Sequence, residues 1–297
     1  MSLVSIITTT YKHQDFIIQT IESVVSQTFT DWELLIGDDS PDNATWDIIQ
    51  SYIQRYPDKI RAWHHSPNKG LTENMQFLLS QVSTESEYVS FLEGDDIYSP
   101  TFLERKMQVF RNHPETVFIY NECSIIDESW KITETNFLKK HNAYFPQNEI
   151  ISGDKFLWKI HYCSYSSFTI KKDILKKYEM LHIQKYPRFW ASDWDLFFRI
   201  TTENPVFCIQ ESLTLYRKHG NNLSWSFFTD MFNFMLVLDF YHKKAPKYFH
   251  QIVWQMRLYE HIYTYLYLLI DLHLWKVFMA HIFSILFTIK NYITRKS

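Results

Sequence analysis

The sequence predicts an α/β fold, a mostly parallel sheet with helices on both faces. Two observations carry that prediction. Short, largely apolar runs alternate with amphipathic segments through the first half of the chain, as they do when strands are covered on both sides. The runs are Val4 to Thr8, Glu33 to Gly37, Ile60 to His64, Tyr88 to Leu92 and Val117 to Tyr120. Helical patterns lie between them at Phe16 to Ser26, where Ile17, Ile21, Val24 and Val25 share a face, and at Thr45 to Tyr56, Leu71 to Val82 and Thr101 to Asn112. Strand and helix alternating at this spacing give βαβ units, whose crossovers make the strands parallel.

At about 100 to 200 residues per domain, the 297 residues suit one large domain or a domain with an appendage. With 46% hydrophobic and 18% aromatic residues and only 5 glycines, the chain is neither disordered, collagenous nor of low complexity. A net charge of -3 offers no basic face, so no nucleic-acid partner is expected. Cys123, Cys163 and Cys208 are widely spaced and odd in number; they imply neither a disulfide framework nor a zinc site and suit a reducing compartment. The opening MSLVSIITTT lacks the basic start and cleavage site of a signal peptide and reads as a strand, so a cytoplasmic chain is expected.

In an open parallel sheet, ligands sit outside the carboxyl ends of the strands. Thr9, Thr10 and Tyr11 follow the first run, Asp38 and Asp39 the second, Asn68 and Lys69 come soon after the third, and Asp95 and Asp96 follow the fourth. All four clusters are therefore expected on one edge. Asp, Asn and Gly are also ordinary turn residues, which accounts for any one cluster better than for four in succession. The densest lies in FLEGDDIYSP, residues 91 to 100, where Glu93, Asp95 and Asp96 crowd together. Carboxylates this close raise one another's pKa unless a cation or a proton is shared. A divalent metal site, an acid/base pair and a solvated turn are the three readings of that stretch.

From about residue 127 to 190 the pattern weakens, with a helix predicted at Asp154 to Ile160 and a strand at Ser167 to Ile170. FWASDWDLFFRIT reads as a helix capped by Ser192 or Asp193. A strand at Leu213 to Arg217 leads into the loop YRKHGNNLS, and beyond Trp225 the chain is helical and aromatic-rich. Val277 to Ile289 carries no formal charge but falls short of the roughly 20 residues that span a bilayer. Two readings stand for this tail: helices packed on the core or on a second copy in a homo-oligomer, or a peripheral helix with Trp275, Phe278, Phe283 and Phe287 in the headgroup layer of a membrane's inner face.

VSIITTTY, TIESVVSQTFTDWELLIGDDSPDN, SPNKGLTENMQFLL, FLEGDDIYSPTFL and SDWDLFFRI, in this order and at these intervals, resemble the family 2 glycosyltransferases with a GT-A fold. The resemblance implies a catalytic domain at 1–225, with a Rossmann-like nucleotide-sugar half at 1–126 and an acceptor half at 127–225, and leaves 226–297 as a helical extension. It implies inverting transfer of a hexosyl or N-acetylhexosaminyl group from a UDP-sugar donor to the hydroxyl of a saccharide or lipid-linked saccharide, in cell-surface polysaccharide or glycolipid synthesis.

By motif match Thr9 and Tyr11 lie against the base, and Asp39 accepts a hydrogen bond from the uracil N3–H. A tyrosine ring offers a stacking face, and a carboxylate selects a ring N–H over an acceptor. The acidic motif of the family holds a divalent cation, Mn2+ or Mg2+, that bridges the two phosphates and stabilises the charge developing on the leaving diphosphate. Asp96 is expected as its direct ligand, Asp95 reaches the ribose or a metal-bound water, and Glu93, where relatives carry Asp, stands behind them. Asn68 and Lys69 add a donor and a positive charge, Gly70 permits close backbone approach, and Arg217 and His219 contact the diphosphate.

Asp193 matches the aspartate of the family's ED motif, the general base that takes the proton of the attacking hydroxyl. Ser192 stands where Glu is common. Trp190 and Trp194 flank the base as acceptor platforms or core aromatics, and Asp195, two positions on, cannot share its helix face. The alternative function is a catalytically inactive nucleotide-sugar-binding subunit or sensor, for which Glu93 and Ser192 are the departures that speak. A nucleotidyltransferase ranks last, because TTTYKHQDF has no glycine with which to cradle a phosphate.

Overall fold

The computed structural model describes residues 3–141, 148–151, 164–177, 200, 203–220 and 222. The helices predicted at Asp154 to Ile160 and around Asp193, the domain boundary at 225 and the extension at 226–297 lie outside the described residues. Strands β1 (Leu3–Thr10), β2 (Trp32–Asp38), β3 (Ile60–His64) and β4 (Ser86–Phe91) alternate with helices α1 (Ile17–Val25), α2 (Ala44–Arg55) and α3 (Leu71–Ser80), close to the expected bounds. Their order in the sheet is β3-β2-β1-β4, parallel throughout. The chain moves outward from β1 to β2 and β3, then returns to β4 on the other side. That reversal opens a crevice at the carboxyl ends of β1 and β4.

The second half contains β5 (Ile97–Tyr98), α4 (Phe102–Asn112), β6 (Phe118–Ile126), β7 (Ile132–Glu134), α5 (Phe137–His141), β8 (Ile150–Ile151), β9 (Thr169–Lys171), α6 (Lys172–Lys177) and β10 (Val206–Arg217). Parallel pairing gives way here: β9 runs antiparallel between β4 and β6, and β10 pairs parallel with β6 but antiparallel with β5. Since β4 and β6 both oppose β9, they run the same way, and β6 and β10 end at the same edge as β1. Both are longer than their apolar runs. Asn121 and Ser124 interrupt the pattern but are buried and bonded across the pair, Asn121 Nδ2 to Thr214 Oγ1 (3.0 Å) and Ser124 Oγ to Ser212 Oγ (2.8 Å). Paired hydroxyls and amides thus replace apolar contacts without ending the strand.

Successive residues of β1 serve opposite faces, as the pleat requires. Ile6 packs with Ile17, Ile21 and Val24 of α1, Ile49 of α2 and Phe102 and Phe110 of α4. Ile7 packs on the other face with Met75 and Leu78 of α3 and with Val89 and Phe91 of β4. Each of these side chains is at most 3% exposed, and burial of this kind stabilises by about 1.5–3 kcal/mol per side chain. A sheet clamped on both faces gives its strand ends fixed positions. Away from that edge, Lys106 Nζ donates to the carbonyls of Ser167 (2.7 Å) and Ile119 (3.3 Å), and the Glu122 carboxylate accepts the N–H groups of Cys123, Leu138 and Lys139 at 2.7 to 3.0 Å. Cys123 and Cys208 are buried, and burial pushes the Cys208 thiol up to about 12. Among the described residues no helix is long and apolar enough to cross a membrane.

Candidate active site

The first wall of the crevice is built at the end of β2. Asp38, the last residue of the strand, turns inward: Oδ1 accepts the Ser40 N–H (3.1 Å) and hydroxyl (2.6 Å), and Oδ2 lies 2.8 Å from His64 Nδ1. Asp39 turns the other way, its carboxylate accepting the Lys69 N–H (3.2 Å) while its own N–H donates to Thr10 O (2.9 Å) at the end of β1. Asn68 organises the turn around it, donating to Asp39 O (3.0 Å) and accepting from Gly70 N–H (2.6 Å). Beneath this turn Asn74 donates to Gly37 O (2.8 Å), and its Oδ1 lies only 1.8 Å from where a Cβ on Gly37 would stand. Burial raises the Asp39 carboxyl, opposed by the Lys69 N–H.

The other sequence-predicted residues of this wall separate by exposure. Tyr11 is 46% exposed at the mouth, whereas Thr9 is buried with its hydroxyl 3.4 Å from the Glu93 carboxylate. Lys69 contributes a main-chain N–H to Asp39, while its ammonium lies over the Phe77 ring, 5.7 Å from the centroid.

The second wall is the acidic turn after β4. Thr20 of α1 places its hydroxyl within 3.0 Å of Gly94 O and 2.9 Å of Asp96 O, fixing the turn's backbone. Asp96, expected as the direct metal ligand, is fully buried and faces the protein: Oδ2 accepts the Ser166 hydroxyl and Oδ1 the Arg217 N–H (2.8 Å). It immediately precedes β5, so its side chain enters the sheet beside β10 rather than the crevice. The acid that faces the crevice is Asp95, whose Oδ2 lies 2.8 Å from His219 Nε2 and 3.3 Å from Asn222 Nδ2. Burial alone would raise Asp95, but the His219 hydrogen bond and the nearby His13 imidazole hold it below its ordinary value. Asp96 is held well above its ordinary value, by burial first and then by the charge of Asp95.

Arg217 also differs from expectation. Its guanidinium is buried, donating from Nε to Asp95 O (2.8 Å) and from Nη1 to Asp127 O (3.1 Å), between the rings of Phe16 (4.7 Å) and Trp130 (5.1 Å). With Nε and Nη1 on main-chain carbonyls and Nη2 3.5 Å from Gln19 Oε1, it braces the acidic turn. His219, from the same loop, does reach the site.

The sequence reading missed His13. A ring nitrogen of His13, one of His219 and an Asp95 carboxylate oxygen all lie within 4.8 Å of one another. The available signal was a histidine three residues past the end of β1, two beyond Tyr11. Burial lowers the pKa of His13, opposed by the Asp95 carboxylate. With two ring nitrogens and a carboxylate oxygen within 4.8 Å of one another, the three residues offer the nitrogen and oxygen donors that a divalent cation takes. Asp193, Ser192, Trp190 and Trp194 lie outside the described residues.

A crevice at the switch point of a parallel sheet, with a desolvated carboxylate on one wall and a carboxylate beside two imidazoles on the other, defines a ligand-binding α/β protein. The chain matches the model of Glycosyl transferase family 2 over residues 5–179, more than half its length, and belongs to that family. Among curated proteins it is 26% identical over 198 residues to Protein CgeD of Bacillus subtilis, covering 64% of this chain and 42% of the relative. It is 26% identical over 219 residues to the uncharacterized glycosyltransferase alr2836 of Nostoc sp., covering 74% of this chain and 66% of the relative. A B. subtilis relative named for teichuronic acid biosynthesis is 32% identical over 106 residues, 36% of this chain and 41% of its own length. The chain thus spans between 41% and 66% of the length of these three relatives. Among solved structures, S. aureus TarS 1-349 in complex with UDP superposes with a TM-score of 0.58 at 16% identity, covering 80% of this chain and 63% of TarS 1-349. The complex of TarS 1-349 with UDP-GlcNAc gives 0.58 at 15%, covering 80% and 66%. The shared architecture is the GT-A glycosyltransferase fold.

Proposed function

We propose that this protein is an inverting glycosyltransferase that moves a sugar from a UDP-sugar to an acceptor hydroxyl, with a divalent cation, Mn2+ or Mg2+, held at Asp95 and His219. The observation that carries this reading is that Asp39 and Asp95 follow the ends of β2 and β4, the two strands that flank β1, and that both turns are tied to the end of β1 through Thr9, Thr10 and Glu93. Solved proteins of the same fold are described as complexes with UDP and UDP-GlcNAc, which supports a uridine diphosphate donor. A saccharide or lipid-linked saccharide of surface-polysaccharide synthesis is the acceptor we assign.

Asp39 accepts the uracil N3–H, and its lack of water strengthens that bond. Tyr11, exposed beside it, supplies the stacking face. The cation, when bound, stabilises the charge of the departing diphosphate. Asp96 and Arg217 hold the acidic turn in place through Arg217 N–H and the Asp95 carbonyl. Asp193 takes the proton of the attacking hydroxyl, so that attack opposite the leaving group inverts the anomeric carbon.

UDP release from a panel of UDP-sugars and saccharide acceptors, with Mn2+ and after chelation, tests the proposal. Turnover that needs the ion and disappears in Asp193→Asn, with UDP binding retained, is expected. A folded chain that binds no UDP-sugar under either condition sinks the reading, and binding without turnover on any acceptor supports an inactive donor-binding subunit in its place.

A further inference from the structure

The loop between β1 and α1 is shaped so that His13 runs inward under the acidic turn. Lys12 sits in the left-handed region (φ 57°), uncommon for a residue other than glycine, and gives its N–H to Ser40 Oγ (2.8 Å). The His13 carbonyl accepts the N–H groups of Phe16 (2.9 Å) and Ile17 (2.8 Å) as α1 begins. Its ring meets His219 edge to face, with centroids 6.1 Å apart and planes at 87°, and packs against Phe16 at 6.2 Å. Gly94 supplies the room: a Cβ there would stand 2.8 Å from His13 Nδ1 and 2.7 Å from Thr10 Cβ. Nδ1 is buried and has no hydrogen-bond partner among the described residues. A buried polar atom left this way costs about 1–3 kcal/mol, and native proteins retain such atoms mainly where something else satisfies them.

We propose that His13 is a third protein ligand of the cation, so that the chain binds a first-row transition ion in preference to Mg2+ and does so before any nucleotide arrives. The inference rests on the assignment of Asp95 and His219 to the metal and adds the ligand that makes the site independent of the donor's phosphates. Two imidazoles and one carboxylate, with donor atoms within 4.8 Å of one another, would offer an ion three protein donors. Nitrogen donors favour the transition ions, whereas Mg2+ seeks oxygen and keeps its water. A site resting on one carboxylate would need diphosphate oxygens to complete it. Three protein donors do not.

The test uses the full chain without nucleotide and Co2+ alone, followed by calorimetry and by visible absorption, which reports imidazole coordination directly. One Co2+ per chain is expected, resistant to a hundredfold excess of Mg2+, with affinity at least about tenfold lower in His13→Ala and His13→Asn. Co2+ binding that appears only with UDP, or that Mg2+ displaces at equal concentration, overturns the inference without any variant. Equal affinity in wild type and both folded His13 variants, with loss in Asp95→Asn and His219→Ala, overturns the role of His13 alone. Affinity unchanged in Asp95→Asn overturns the assignment of the metal site itself.

Discussion

Two adjacent aspartate pairs stand on the walls of the crevice, and the molecule uses them in opposite order. At the end of β2 the first member, Asp38, is bound by Ser40 and His64, and the second, Asp39, faces the crevice. After β4 the second member, Asp96, is bound by Ser166 and Arg217, and the first, Asp95, faces the histidines. In each pair one carboxylate holds the turn while the other is presented. Neighbouring side chains along an extended backbone point to different sides, so a pair at a strand end divides its labour; which member faces outward depends on where the strand stops. Each wall also has a glycine whose missing Cβ is replaced by another side chain, Asn74 over Gly37 and His13 with Thr10 over Gly94.

The largest expected effect separates the members of the second pair. Asp95→Asn should lower transfer by about a hundredfold or more, as loss of a group stabilising developing charge does, with little change in melting. Asp96→Ala strips partners from the Ser166 hydroxyl and the Arg217 N–H and should cost about 1–3 kcal/mol of stability, while metal affinity in the folded chain changes little. Denaturant unfolding and metal titration of both variants check this, and the reverse pattern would mean the second pair has been read in the wrong order.

The glycines give the next effect. Gly37→Ala drives a Cβ into Asn74 Oδ1 and should cost about 3 kcal/mol, because Asn74 must release both Gly37 O and the His65 Nε2 contact (3.2 Å). Gly94→Ala presses on Thr10 and His13 and should cost about 1–3 kcal/mol. Thermal melting ranks them, and Gly94→Ala should weaken Co2+ binding where Gly37→Ala does not.

The first pair is tested by pH. The Asp39 pKa is raised above 3.8 by burial, so folding favours its protonated form: its contribution to stability is full below 3.8 and is lost as pH rises through the raised value. Binding the uracil N–H requires the ionised form, so UDP affinity measured in chelator should fall as pH drops through that same value. Asp39→Asn should remove both dependences, leave the chain no less stable at neutral pH, and weaken UDP binding about ten- to hundredfold, the worth of a charged hydrogen bond. The smallest effect is assigned to Lys69→Ala, under about fivefold on UDP affinity, because an exposed ammonium contributes little and the Asp39 contact comes from the main chain.

The four strand ends and the helices between them were legible in the sequence, because apolar runs and helical faces repeat locally. So were Tyr11 and Asp39 as residues of this edge, whereas His219 came only with the family resemblance. The orientation of Asp95 and Asp96 was not, since a motif shows that two carboxylates are present and only the backbone shows where each points. Arg217 reads as a loop cation because nothing local reveals that Phe16 and Trp130 enclose it. The strand at Ser167 to Ile170 was legible and is β9, but its antiparallel place between β4 and β6 was not, because its partners are distant in the chain. His13 needed the left-handed turn at Lys12 to become part of the site.

The most direct measurement is the anomalous difference density of Mn2+ in crystals of the full chain grown with UDP. The account predicts one peak bonded to Asp95, His219 and His13 and to diphosphate oxygens, with the uracil N3–H on Asp39 and the Asp96 carboxylate still on Ser166 and the Arg217 N–H. A peak coordinated by Asp96, or a uracil ring away from Asp39, would contradict it.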